Sequence, residues 1–360
     1  MKRYLYLFVL VSFISGCRKG VEMKTWERVY DKGILFCVRE KEEGGYWITG
    51  MKIDEEGNGR FYLASLDADG EIIWESEYGE GYGVDIEPLE DGGCLVSCVI
   101  RDLACICRMN EEGAILWKKN LLEEGDAVFF IGRASDGNYL ITFRDSILKF
   151  DINGNILQKW KRTGYSFGIV IEDADGNLVT VDDDEWVVKM DPAGNILWEK
   201  DLDDWFGYED LWELKEAIDG GYILGGRGDD KKMCVLKLDK NGNVVWVRHY
   251  EDDKYEYGMV GSIQPEEDEY IVAGFTANGE DGWDVKEGVL MKIDTYGNTV
   301  WEKRYSYNGN PRNGFFYVEK TRDGGYIMAG WTSEVERGED ETFSMWVVKV
   351  NEEGEIVEEE

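Results

Sequence analysis

The chain has a single histidine, His249, among 360 residues. Imidazole-based metal sites and histidine acid–base chemistry therefore have almost no raw material. Proline is scarce, at 4 residues. Positive charge is scarce too: 40 Lys and Arg stand against 75 Asp and Glu, for a formal net charge of −35. Phosphate recognition needs a basic surface, so this balance excludes nucleic acid as a partner. It also excludes adsorption to anionic lipid through charge alone. No stretch reaches eighteen consecutive apolar residues, so no segment reads as a stable membrane-spanning helix.

Glycine and aromatics are abundant: 44 Gly, 14 Trp and 20 Tyr. Many glycines with few prolines predict many tight turns. The aromatics favour strands over helices. Hydrophobic residues make up 43% of the chain, close to a globular average, so disorder is excluded.

The first residues read as an address. Lys2 and Arg3 precede the apolar run Tyr4 to Phe13, which is of signal-peptide length. The run ends in Ile14-Ser15-Gly16-Cys17. That ending resembles the bacterial lipoprotein signal, an aliphatic and two small residues before a cysteine. The resemblance implies cleavage before Cys17 and its acylation. It divides the chain into a signal peptide at 1–16, an acylated tether at 17–23 and one domain at 24–360. The expected location is the bacterial cell envelope, lipid-anchored and facing periplasm or exterior.

Self-comparison of the rest reveals repeats. Acidic starts before an apolar run recur at Glu43, Asp91, Asp136, Asp175, Asp219, Asp268 and Asp323, at spacings of 48, 45, 39, 44, 49 and 55 residues. An apolar strand ending in Asp or Asn, then two residues and a turn glycine, follows each: Asp67/Gly70, Asn110/Gly113, Asp151/Gly154, Asp191/Gly194, Asp239/Gly242, Asp294/Gly297 and Asn351/Gly354. Four residues after that Gly stands a Trp in five of the first six copies, from Trp74 to Trp301; in the third the Trp is Trp160, six residues after Gly154. The seventh lies at the other end of the chain, in Trp26-Glu27-Arg28-Val29-Tyr30, which copies the Trp-x-x-x-Tyr of Trp246 to Tyr250. Each repeat reads as four strands; in the fifth they are Leu211–Ala217, Tyr222–Gly226, Met233–Leu238 and Asn243–Tyr250. The expected fold is all-β: a seven-bladed β-propeller of four-stranded blades, closed by an N-terminal strand completing the last blade. Closure removes sheet edges that would template aggregation.

The element Ile293-Asp294-Thr295-Tyr296-Gly297-Asn298-Thr299-Val300-Trp301 resembles the tryptophan-docking motif of quinoprotein-type propellers. The resemblance implies a Trp that wedges between blades. The cation site and catalytic Asp that pyrroloquinoline quinone enzymes require have no counterpart in this sequence, so no cofactor is expected. Combined with the acyl anchor, the blades are similar to envelope propeller lipoproteins, which implies a scaffold that docks protein partners.

Other candidate chemistry reads as structure. Cys94, Cys98, Cys105 and Cys107 have the spacing C-x3-C-x6-C-x-C, which is not a zinc pattern, and fall on core positions. Small buried thiols, a cross-strand disulfide and a metal remain open. Asp67-Ala68-Asp69-Gly70 and Asp173-Ala174-Asp175-Gly176 start like calcium loops but lack the later ligands, and both fall on repeat turns. A lysine recurring at Lys149, Lys189, Lys237, Lys292 and Lys349 reads as architectural.

The regular turns belong to one face. The other carries irregular segments, where sequence is free to serve a ligand. Its candidate binding residues are Asp203, Asp204, Trp205, Tyr208, Asp229, Asp230, Asp281, Trp283 and Asp284. Aromatics beside carboxylates suit a glycan or a cationic peptide. The functional expectation is a non-enzymatic binding or scaffolding module for envelope proteins or glycans. The alternative is an envelope enzyme acting on glycans or oxidising a small molecule.

Overall fold

The computed structural model describes residues 23–121, 130–143, 145–161, 167–182, 185–250, 254–278, 284–337 and 342–357. The side chains of 167 and 207–210 lie outside this description, and so does Cys17. Among the described residues no helix is long and apolar enough to cross a membrane.

Among the described residues every element except one 3-10 turn is a β-strand, and consecutive strands within a sheet pair antiparallel. The pairs group into four-stranded sheets. The fifth consists of Phe206–Glu216, Tyr222–Gly228, Met233–Leu238 and Val244–Tyr250. The sequence reading matches these strands to within one residue at each end, except that the first begins five residues earlier, at Phe206, and the second ends two residues later, at Gly228. The earlier start follows from Phe206 pairing with Gly228 after the chain turns at Leu202.

Two long strands serve two sheets each. Ile72–Pro88 pairs through its first half with Gly59–Leu66 and through its second with Cys94–Ile100. Trp26–Glu40 does the same across the ends of the chain. Its second half pairs with Tyr46–Ile53, while Trp26, Glu27 and Arg28 pair with Lys349, Val348 and Val347. The N-terminal strand thus completes the sheet formed by Arg312–Lys320, Tyr326–Ser333 and Ser344–Val350. The first strands of successive sheets contact one another in an unbroken cycle that returns from Arg312–Lys320 to Trp26–Glu40.

The core lies between adjacent sheets rather than within one. Ile169, Val181 and Val187 of the fourth sheet pack on Leu214, Leu224 and Leu236 of the fifth. At the rim the repeat tryptophans join neighbours. Trp246 Nε1 donates to the Thr295 carbonyl of the next sheet at 2.9 Å, and Tyr250 Oη to the Gly297 carbonyl at 3.1 Å. Trp26 does the same to Ala68 at 2.9 Å, across the seam. The indole rests where a side chain on the turn glycine would stand: a Cβ on Gly297 would lie 2.9 Å from Trp246. Gly297 also has φ +78°, which L-residues rarely adopt. Asp294 holds this turn by accepting from the Tyr296 and Asn298 amides at 2.9 and 2.8 Å.

The recurring lysine ties its own sheet internally wherever it occurs. Lys237 Nζ lies 2.6 Å from Asp219, and Lys349 Nζ 2.9 Å from Asp323. Arg108 takes the same role with Asp91. The cysteines of the second sheet are buried thiols with Cys98 Sγ 3.6 Å from Cys107 Sγ.

Candidate functional site

The face away from the Asp-x-x-Gly turns is built from hairpins between second and third strands and from links between sheets. These segments are hydrogen-bonded to one another. The Asp229 amide donates to the Trp205 carbonyl at 3.3 Å, and the Gly258 amide to the Lys231 carbonyl at 3.0 Å. The hairpin at 228–232 therefore joins the link before it to the link after it. One sheet further on, the Glu256 amide donates to Asn278 Oδ1 at 3.4 Å. Asn278 pairs with Asp284, whose carboxylate lies 3.1 Å from Lys286. Lys286 then reaches Glu336, in the segment between the strands Tyr326–Ser333 and Ser344–Val350, at 2.7 Å.

Of the sequence candidates, Asp203, Asp204, Asp229 and Asp230 are exposed. Trp205 is half-buried, packs against the core between the fourth and fifth sheets, and has Lys200 Nζ 5.2 Å from its ring. Trp205, Asp229 and Asp230 belong to one local cluster. Asp284 stands one sheet away, half-buried and salt-bridged. Asp281, Trp283 and the Tyr208 side chain lie outside the described residues.

His249 sits at the edge of this cluster. Its Nδ1 lies 2.8 Å from Asp230 Oδ1, and its Nε2 faces Cys234 Sγ at 4.0 Å. The outline is that of a Cys-His-Asp triad. Its thiol is fully buried, however, and burial pushes the Cys234 thiol up to about 12. A protonated sulfur without access to solvent is not a nucleophile in this arrangement. Among the described residues no group of three or more His, Cys, Asp and Glu side chains converges as a metal site.

Sequence reading missed a second assembly, at the inner edge of the sheets. First strands bulge at Phe36, Trp212 and Phe316, where the register shifts by one residue. The bulges bring rings from distant repeats together. Phe36 lies 5.6 Å from Phe316 and 6.0 Å from Tyr82, and Trp212 stacks near-parallel to Phe316 at 6.5 Å. Next along the same strands is an ionic cluster. Arg39 contacts Glu87 at 3.2 Å, Glu319 at 3.2 Å and the Tyr317 hydroxyl at 2.9 Å. Burial pushes the Glu319 carboxyl up to about 7, against the pull of Arg39. Burial likewise raises Glu87. No sequence signal marks these positions: the residue skipped in the register is Phe36, Val84, Trp212, Gly261 and Phe316 in different repeats, of no constant type.

No protein-family model matches the chain, and no curated protein matches it. Several solved structures resemble it. The WD40 β-propeller domain of Doa1 aligns at TM-score 0.61 and 12% identity, covering 90% of this chain and 96% of that one. The Pan2 WD40 domain of Neurospora crassa aligns at TM-score 0.56 and 10% identity, covering 89% and 90%. Virginiamycin B lyase from Staphylococcus aureus aligns at TM-score 0.50 and 13% identity, covering 69% and 96%. At these identities the likeness shows fold alone: the chain has an all-β, propeller architecture of four-stranded antiparallel sheets.

Proposed function

We propose that this chain is a seven-bladed propeller lipoprotein with quinoprotein-like blades, held at the bacterial cell envelope by an acylated Cys17. It acts as a non-enzymatic binding or scaffolding module. Its working surface is the acidic, aromatic face of links and hairpins around Trp205, Asp229 and Asp230. One observation carries the reading: the two faces are built by different rules. Regular turns with docked tryptophans occupy one. On the other, irregular segments are bonded into a continuous surface through Trp205, Asp229, Lys231 and Gly258. A scaffold needs that division, because blade stacking is then independent of what the free face contacts. Exposed carboxylates favour a basic peptide, with glycans as the second ligand class.

Two measurements test the reading. Expressed in a host that processes lipoproteins, the mature chain should begin at Cys17 and carry acyl mass, and a Cys17→Ser chain should carry none. A mature wild-type chain without acyl mass overturns the anchor. For the face, titration with lysine- and arginine-rich peptides should show binding that Asp203→Asn/Asp204→Asn/Asp229→Asn weakens at unchanged melting temperature. Equal binding by wild type and variant overturns this surface.

A further inference from the structure

Among the described residues, almost every large hydrophobic side chain that stays exposed occupies one rim; Met23, Trp212 and Ile218 are the exceptions. The rim is formed by the Asp-x-x-Gly turns and the first two residues of each outermost strand. Ile115-Leu116, Ile156-Leu157 and Ile196-Leu197 show the pattern, and the remaining repeats have copies of it. Neither member of these pairs is buried: Ile115, Ile156 and Ile196 are 41%, 48% and 47% exposed, and Leu116, Leu157 and Leu197 are 58%, 52% and 52% exposed. Exposed apolar surface repeated around a rim marks a contact.

Three further observations say what covers it. First, Lys118 follows the Ile115-Leu116 pair, in a protein of net charge −35, while Lys159 and Lys200 extend away from the rim over the Phe143 and Trp205 rings. Second, the turn tips from the third to the sixth repeat are Ile152-Asn153, Pro192-Ala193, Lys240-Asn241 and Thr295-Tyr296, none with a carboxylate, and Tyr296 is 69% exposed. An aliphatic stripe with lysines and a tyrosine has the chemistry of a membrane–water interface. Third, the chain reaches this rim at Thr25 and Trp26, close to its first described residue. The Val357 amide donates to Thr25 Oγ1 and Thr25 Oγ1 donates to the Val357 carbonyl, both at 2.8 Å. Trp26 docks on the 67–70 turn. Cys17 precedes Met23 by six residues, a reach of at most ~20 Å.

We propose that this rim lies against the lipid surface that holds the acylated N-terminus, with the aliphatic pairs and Tyr296 at headgroup level. The proposal rests on the lipoprotein reading and adds an orientation to it. With the rim on the membrane, the link-and-hairpin face points away from it, toward partners.

Residues 18–360 hold every described strand, so an unacylated chain of that span tests the rim by itself. It should co-sediment with vesicles of phosphatidylcholine and phosphatidylglycerol. Leu116→Gln/Leu157→Gln/Leu197→Gln should reduce the bound fraction at least about tenfold, given the apolar area removed, at an unchanged melting temperature. An unacylated chain that stays in the supernatant, or a triple variant that binds like wild type, overturns the proposal. A rim-dependent dimer in sedimentation without vesicle binding also overturns it, and assigns the rim to a second copy of the chain. Acyl mass at Cys17 is read separately: its absence with rim-dependent vesicle binding would overturn the anchor and leave the rim.

Discussion

At the residue scale, Glu319 combines burial with three charged neighbours. Its carboxyl is held near 7 in the folded chain, against 4.5 for an ordinary glutamate. The folded state therefore binds the proton more tightly than the unfolded one. This group's stabilising contribution is complete below about pH 4.5 and is lost as pH rises through about 7. The loss is on the order of 3 kcal/mol. Glu319→Gln should flatten the fall in stability across that window. Thermal unfolding of wild type and variant at matched pH values from 5 to 8 checks it; parallel curves would refute it. The contrast between lysine and cysteine is also a residue-scale matter. Lys349 is fully buried yet lies 2.9 Å from Asp323, so it retains a partner for its charge. Cys234 is fully buried without such support for a thiolate, and stays protonated.

At the scale of the element, the docked tryptophan is the unit that joins one sheet to the next. Trp246 is 9% exposed and covers the Gly297 turn while its indole N–H bonds Thr295. Trp246→Ala removes the ring and the bond together and should cost ~3–5 kcal/mol. Trp246→Phe keeps most of the ring and gives up the hydrogen bond, and should cost about 1 kcal/mol beyond the lost ring area. Denaturant unfolding of both variants separates packing from hydrogen bonding. Equal losses would mean that the bond, not the ring, joins the sheets. Inner-strand bulges are elements of another kind. One extra residue re-aims a side chain out of the ladder, which is how Phe36, Trp212 and Phe316 come to share one aromatic assembly.

At the scale of the whole molecule, closure depends on a single strand segment. Deleting residues 21–31 removes Trp26 and leaves Val347 and Val348 on an open sheet edge. Removal of one docked aromatic in the core costs ~3–5 kcal/mol, and the lost strand pairing adds to it. Deleting the last five residues spares Gly354 and should cost far less. Equilibrium unfolding of the two truncations decides between them. Equal stabilities would show that closure contributes nothing to the fold.

The repeats were legible in the sequence because turn chemistry is local. An Asp that caps its own turn, a glycine at positive φ and a tryptophan four residues on each declare themselves within ten residues. Counting them yielded the four-strand pattern, the core cysteines and the completing strand at Trp26. The candidate face was legible only as irregularity. Which irregular segments touch depends on how far each link carries the chain around the ring, and this brought Trp205 to Asp229 and Gly258 to Lys231 while half-burying Trp205. The inner assembly of Arg39 with Glu87 and Glu319 left no mark in any one repeat, since its members come from three sheets, and that of Glu319 meets that of Arg39 only when the ends of the chain do. Sequence alone determined the strand, the turn and the repeat, because their interactions span a few residues. Tertiary structure decided what faces the axis, what the rim leaves exposed and which carboxyl loses its water, because burial is a property of neighbours far apart in the chain.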